Sequence, residues 1–289
     1  MILLVPADVL HPRRVDEHFA AEADAAAAAG MDVALVDHDA LTGPADSDDA
    51  VRRVRVSGPA FYRGWMLRSD QYVAFDEALR RRGVMLRTRP EQYQRAHELP
   101  GWYSDLAALT PRSVWTVGHD REAFDRACRE LGSGPAVLRD YTKLMKHYWH
   151  EAAFIPEVND GDSAWRVASR FRELRDEDMT GGFVLRAFEH FSAAEVRTWW
   201  IDGSCRLIGP HPDTPQELPA AELDLTEIEP LIANLHLPFV TVDFALRTDG
   251  AWRVVELGDG QVSDRPSTIS PETLITVLRK GFSSSLLEY

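Results

Sequence analysis

Three cations stand close together in the stretch PAVLRDYTKLMKHYW, from Pro135 to Trp149: Arg139, Lys143 and Lys146. The apolar start reads as a strand running into a turn that presents them. Phosphate oxygens suit such a set, with a guanidinium acting as a planar fork and an ammonium as a mobile point charge. The 289-residue chain has 32 basic and 46 acidic residues, a net charge of −14. Its only lysines are Lys143, Lys146 and Lys280, so two of the three fall in this one stretch. The competing account is a solvated face that balances nearby acids.

A second group lies in FVTVDFALRTDGAWRVVELGDGQ, Phe239 to Gln261. Two strand patterns flank a turn at Thr248–Asp249–Gly250. Alternation puts Val240, Val242 and Phe244 on one face and Thr241, Asp243 and Ala245 on the other. Asp243 therefore interrupts an apolar strand, and Glu256 follows Val254 and Val255. Counted outward from the turn, the two carboxylates face each other across the hairpin. A buried carboxylate without a partner is costly. A divalent cation is one fitting partner, and arginine side chains are another. The third group is GFVLRAFEHF followed by EVRTWWIDG. Leu185 to Phe188 reads as a strand with a free edge that could bond an adenine edge, while Glu189 or Glu195 could accept ribose hydroxyls. An ordinary surface strand explains the same residues.

Taken in this order, the three groups resemble the ATP-grasp superfamily, in a divergent bacterial branch with R-G-W and E-L-G-D-G-Q stretches. The resemblance covers roughly residues 111–265. It implies that Arg139, Lys143 and Lys146 hold the phosphates of ATP, and that Leu185 and Phe188, with Glu189 and Glu195, hold its adenine and ribose. It further implies that Asp243 and Glu256 bind Mg²⁺. The family asparagine two residues after the glutamate is Gly258 here, so a third ligand must come from Asp259, Gln261 or water. The Gly-rich lid after the first lysine is also missing. Arg197, in the E-x-R strand, would sit near the γ-phosphate or an acyl phosphate. Arg265 would neutralise the transferred group, and Arg63 is a further candidate for substrate contact. The implied activity is that of an ATP-dependent ligase, which activates a carboxylate as an acyl phosphate, joins it to an amine and releases ADP and phosphate. A phosphotransferase of the same fold and a catalytically inactive nucleotide-binding module are the alternatives.

The elements that must position these residues give an α/β (α+β) chain. Ile2–Val5, the Ala-rich helix Asp16–Ala29 and Met31–Val36 form a β-α-β unit, which predicts parallel strands. Its first connection has no G-x-G-x-x-G, so it is not a pyrophosphate cradle. Val51–Val56 and Ala60–Tyr62 read as strands, Asp46–Asp49 as a loop, Asp70–Arg82 as a helix, and Tyr93–Trp102 as a helix and turn. Hairpins are expected at Asp202–Gly203 and Asp249–Gly250, and residues 209–219 as a proline-rich loop. The expected plan is a Rossmann-like pre-ATP-grasp domain over 1–110, then a two-lobed ATP-grasp core: a central lid subdomain over 111–188 and a C-terminal subdomain over 189–289.

Composition narrows the partners. Strong net acidity disfavours nucleic acid and anionic membrane. The apolar amino terminus lacks a basic flank and a cleavage site, and no run reaches membrane-spanning length. Cys128 and Cys205 read as free thiols. The expectation is a cytoplasmic protein acting on ATP and a small carboxylate plus an amine, with a homodimer left open.

Overall fold

All five residues of β1 (Ile2–Pro6) are buried, as a strand covered on both faces requires. The structure, a computed structural model, describes residues 1–43, 46–192, 194–217 and 222–284. Asp16 caps α1 (Glu17–Ala28) by accepting the amide of His18, and Gly30, at φ +77, lets the chain turn into β2 (Asp32–Val36). Two short helices follow, α2 (His38–Thr42) and α3 (Ser47–Ala50), then β3 (Gly58–Tyr62), α4 (Ser69–Arg81), β4 (Val84–Leu86) and α5 (Pro90–His97).

Two sequence expectations fail here. Asp46–Asp49 is not a loop, because Asp46 caps α3 through the amide of Asp48. Val51–Val56 is not a strand. Val51 and Val54 are both buried, and their spacing of three is met by consecutive turns closed by Val54 N donating to Val51 O.

The next stretch runs α6 (Leu99–Leu106), β5 (Ser113–Trp115), α7 (Arg121–Leu131), β6 (Ala136–Arg139), β7 (Phe154–Ile155), α8 (Gly161–Arg175) and β8 (Val184–Ala187). Where a helix and turn are expected over Tyr93–Trp102, there are two helices. Extended backbone at Glu98 separates α5 from α6, and Pro100 opens the second. The chain closes with β9 (Val196–Ile201), β10 (Ser204–Pro210), α9 (Glu229–Ala233), β11 (Phe239–Leu246), β12 (Trp252–Asp259) and α10 (Pro271–Ser284). The expected loop over 209–219 begins inside β10, and its residues 218 and 219, like residues 285–289 of the C-terminal segment, lie outside the described residues.

The chain divides into two compact units. Unit 1 comprises Met1–Ala96, Ala194–Asp243 and Gly258–Tyr289; unit 2 comprises His97–Ala193 and Phe244–Leu257. Unit 1 contains a parallel sheet ordered β2-β1-β3-β4. Alternation along β1 sends Ile2 and Leu4 into a cluster with Tyr62, Tyr72, Phe75 and Tyr93. Leu3 and Val5 enter another with Phe19, Trp199, Phe239 and Leu274. Unit 2 contains an antiparallel sheet ordered β5-β8-β6-β7 over a core of Phe124, Leu138, Phe171, Phe183 and Leu185. The remaining strands are ordered β10-β9-β11-β12. Cys128 is buried, Cys205 is half-buried and both are free thiols. Among the described residues, no helix is long and apolar enough to cross a membrane.

Candidate active site

In unit 2, β6 ends at Arg139 and the chain turns sharply over Asp140, which is fully buried. Its Oδ1 accepts from Thr142 N at 2.7 Å, Thr142 Oγ1 at 3.0 Å and Lys143 N at 2.6 Å. Its Oδ2 accepts from Arg175 Nε at 2.9 Å and Thr180 N at 3.2 Å. This carboxylate therefore fixes the turn that carries Lys143. Arg139 is held by Thr142 O, 2.7 Å from its Nη2, and the same nitrogen approaches Glu256 Oε1 at 3.4 Å. Arg139 and Glu256 are thus neighbours within unit 2.

A cation absent from the sequence candidates joins them. Arg186, on the inner strand β8, is 6% exposed. Its Nη1 donates to Val255 O at 2.6 Å and its Nη2 to Thr110 Oγ1 at 2.7 Å, while Nε has no partner among the described residues. Three basic groups here are lowered, in each case chiefly by burial. Burial lowers the Lys143 ammonium, with Glu256 opposing and Arg139 and Arg175 reinforcing. Burial, aided by Arg139, pushes Arg186 down to about 9. His97 falls to about 4 through burial and the nearby Lys143. Arg186 still carries its charge at neutral pH. Crowded, part-desolvated cations of this kind are stabilised by an anion.

The other sequence candidates in unit 2 are placed as follows. Lys146 is exposed on a single turn, Lys146–Tyr148. Leu185 is buried, and β8 has no free edge, since β5 and β6 pair with it on either side. The adenine-edge reading of this strand is corrected accordingly. Phe188 meets Phe154 edge to face at 5.3 Å, and Phe154 stacks on Trp149 at 5.5 Å. Glu189 is engaged by Arg253, Nε at 2.9 Å and Nη2 at 3.0 Å.

In unit 1, β9 carries Arg197, whose guanidinium takes both oxygens of Asp243, on β11. Burial alone would raise the Asp243 carboxyl; Arg197 outweighs it and holds the group below its usual value. His211, at the end of β10, was missed by the sequence reading. Its Nε2 lies 3.0 Å from Arg197 Nη2 and 3.6 Å from Asp243 Oδ2, and its Nδ1 lies 3.2 Å from the amide of Asp213. An imidazole cannot accept at both nitrogens. Burial pulls this ring down, but Asp243 prevails and holds its pKa above the usual value.

Glu195, His211 and Asp243 bring ligand atoms within 4.8 Å of one another, the only such group of three among the described residues. In composition it suits a divalent cation. With Arg197 seated on Asp243, the same charge is already answered.

Asp259 is 1% exposed; its Oδ1 accepts from Gln261 N at 2.9 Å and its Oδ2 has no partner among the described residues. Burial pushes this carboxyl up to about 7. Gln261 accepts from Tyr62 N at 2.9 Å and donates to Tyr72 Oη at 2.8 Å. Arg63 is 1% exposed and bonds Glu22 twice, Gly260 O at 2.6 Å and Ser263 O at 2.8 Å. Arg265 lies 3.5 Å from Glu22 and donates to the carbonyl of Ile269.

A family profile described as an ATP-grasp domain, clade family 3, matches residues 130–278, just over half of the chain. No curated protein matches it. Among solved structures, the D-cycloserine synthetase DcsG is similar with a TM-score of 0.65 at 16% identity, over 99% of this chain and 100% of its own. A RimK domain ATP-grasp protein from Sphaerobacter thermophilus gives 0.63 at 17%, over 97% and 99%. The ATP-grasp ligase PsnB, complexed with a minimal precursor, Mg and ADP, gives 0.58 at 15%, over 98% of each chain. These likenesses establish a mixed α/β ATP-grasp fold, and the profile match sets the family: the chain belongs to the ATP-grasp domains of that clade family.

Proposed function

We propose that the protein is an ATP-dependent ligase that activates a substrate carboxylate as an acyl phosphate and joins it to an amine, forming an amide-type bond and releasing ADP and phosphate. The observation that carries this reading is the group in unit 2, where Arg139 lies 3.4 Å from Glu256 and the neighbouring Lys143 and Arg186 are cations lowered chiefly by burial. Family membership supports it, as do ligase neighbours, one of them solved with Mg and ADP. Subdomains over 1–110, 111–188 and 189–289 remain the working division.

In this reading Lys143 and Arg139 bind the phosphates, with Arg186 adding long-range charge from beneath and Asp140 keeping the turn rigid. Phosphoryl transfer needs positioning and charge neutralisation more than a protein nucleophile, and such a site supplies both. Asp243 and Glu256 would hold Mg²⁺, which neutralises phosphate charge when bound. Asp259 is left to the fold, because its carboxyl is buried and near half-protonated at neutral pH. Arg197 orders Asp243.

The test is ADP release across a panel of small acids and amines, with Lys143→Ala and Glu256→Gln as controls. Amine-dependent release that both variants abolish supports the ligase. A stable phosphorylated product formed without amine identifies a phosphotransferase instead. One observation favours the inactive module: both oxygens of Asp243 are occupied by Arg197. ATP binding without turnover on any pair would establish it.

A further inference from the structure

Unit 1 has a concavity that takes no part in the nucleotide reading. In the sheet order β2-β1-β3-β4, the strands on either side of β1 are reached by connections that part in opposite directions. Ligands of open parallel sheets lie at such points, beyond the carboxyl ends of the strands. Here the segments after β1, β2 and β3 line a cavity of about 260 Å³. Asp8, Asp16, Asp37 and Asp39 ring it, with His38 and the indole of Trp65; no arginine or lysine is in the lining.

Three features define what would fit. Helix N-termini ordinarily attract anions, but Asp16 caps α1 through His18 N and Asp37 caps α2 through Ala40 N, so carboxylates already answer both ends. A phosphate would meet four like charges. A metal ion fits no better, since no three of these acids bring ligand atoms within 4.8 Å of one another. The charges surround a space instead of meeting at a point. Trp65, 38% exposed, supplies an aromatic surface, which attracts a cation through its ring quadrupole. Its indole nitrogen lies 3.4 Å from Asp16 Oδ2. Arg53, outside the lining, comes only within 3.9 Å of Asp37, and Asp39 presents an exposed carboxylate.

We propose that this cavity binds a small organic ammonium without a carboxylate of its own, such as an alkyl mono- or diamine. Its role as the site of the incoming amine rests on the ligase reading above; the binding does not. A small aliphatic amine is protonated at neutral pH, as a lysine is. An α-amino acid would bring its carboxylate against the ring of aspartates. The half-buried His38, whose imidazole burial holds below its usual value against the pull of Asp39, Asp16 and Asp37, adds a neutral hydrogen-bond acceptor to the wall.

The test is calorimetric titration of the full chain, without nucleotide, with 1,4-diaminobutane, ethylamine, glycine, Mg²⁺ and inorganic phosphate. The amines bind, glycine and phosphate do not, and Asp39→Asn and Trp65→Ala each weaken the amines by about tenfold or more while thermal melting stays at the wild-type value. Should either variant melt early, Asp8→Asn replaces it. The proposal is overturned if no amine binds, if Mg²⁺ displaces the amine, or if the folded variants bind amine as the wild type does. The two readings fail separately. Amine binding without amine-dependent ADP release removes the ligase and leaves the cavity; amine-dependent release with no loss in Asp39→Asn removes the cavity and leaves the ligase.

Discussion

Arg197 and Asp243 neutralise each other in near-complete burial, 11% and 3% exposed, with Nε to Oδ1 at 2.8 Å and Nη2 to Oδ2 at 2.7 Å. Any cation recruited to Asp243 must compete with that guanidinium. Arg197→Ala therefore leaves a buried carboxylate with only His211, 3.6 Å away, to answer it, at a cost of ~3–5 kcal/mol, and part of the loss returns when Mg²⁺ or Mn²⁺ is added. Thermal melting with and without metal checks this. A metal-induced rise in Tm no larger in the variant than in the wild type would contradict it.

Asp140 is expected to matter for both stability and nucleotide affinity. Asp140→Ala strips partners from three backbone amides and Arg175 together, costing ~3 kcal/mol or more. Asp140→Asn keeps a side-chain acceptor and folds, but releases Arg175. In that variant KM for ATP rises more than kcat falls, because the turn that carries Lys143 keeps its amide bonds to Oδ1 but loses its tie to Arg175. Steady-state kinetics separates the two.

Asp259 makes stability depend on pH. Its carboxyl is raised from 3.8 to about 7 by burial, so between those values the folded state holds a proton that the unfolded chain has released. The stabilisation is full below about pH 4 and is lost as pH rises through 7, an effect of up to ~4 kcal/mol. Asp259→Asn removes it. Denaturant unfolding at pH 5 and pH 8 then shows the variant gaining on the wild type at the higher pH; parallel profiles would refute the assignment.

Two neighbouring glycines differ in what they tolerate. A Cβ at Gly258 would meet Ser263 Oγ and Thr241 Oγ1 at an ordinary 3.7 Å, whereas at Gly260 it would lie 2.7 Å from the ring of Phe239. Gly258→Ala is expected within ~0.5 kcal/mol of wild type and Gly260→Ala to lose ~1–3 kcal/mol. Denaturation midpoints decide it. Gly258→Asn, which installs the family residue, then tightens Mg²⁺ binding in a titration if Glu256 is a ligand.

Much of this was readable from local patterns. The β-α-β opening, the Asp16 cap and the hairpin at Asp202–Gly203 follow from period and turn chemistry, and both turn residues have positive φ. Arg139 stood out by its clustering with Lys143 and Lys146, and Asp243 by breaking an apolar run, with Glu256 opposite it across the turn. Arg186 breaks one as well, inside VLRA, and that signal could have revealed it. Asp140 could have been found from the turn-forming Asp-x-Thr pattern. His211 left no trace in a proline-rich loop. The adenine-edge reading of β8 failed because its neighbours, β5 and β6, come from distant sequence, and no local pattern reports which strands flank another.

The threading of unit 1 bears on how the protein is made. Its first 96 residues leave the ribosome with Leu3, Val5 and Phe61 covered only in part, by Phe19 and the alanines of α1, because Trp199, Phe239 and Leu274, which complete that cluster, are translated much later. The second unit, most of it one continuous stretch, can fold meanwhile. A nascent chain stalled midway would expose an adhesive apolar face, and the protein should lean on chaperones during synthesis more than its finished surface suggests.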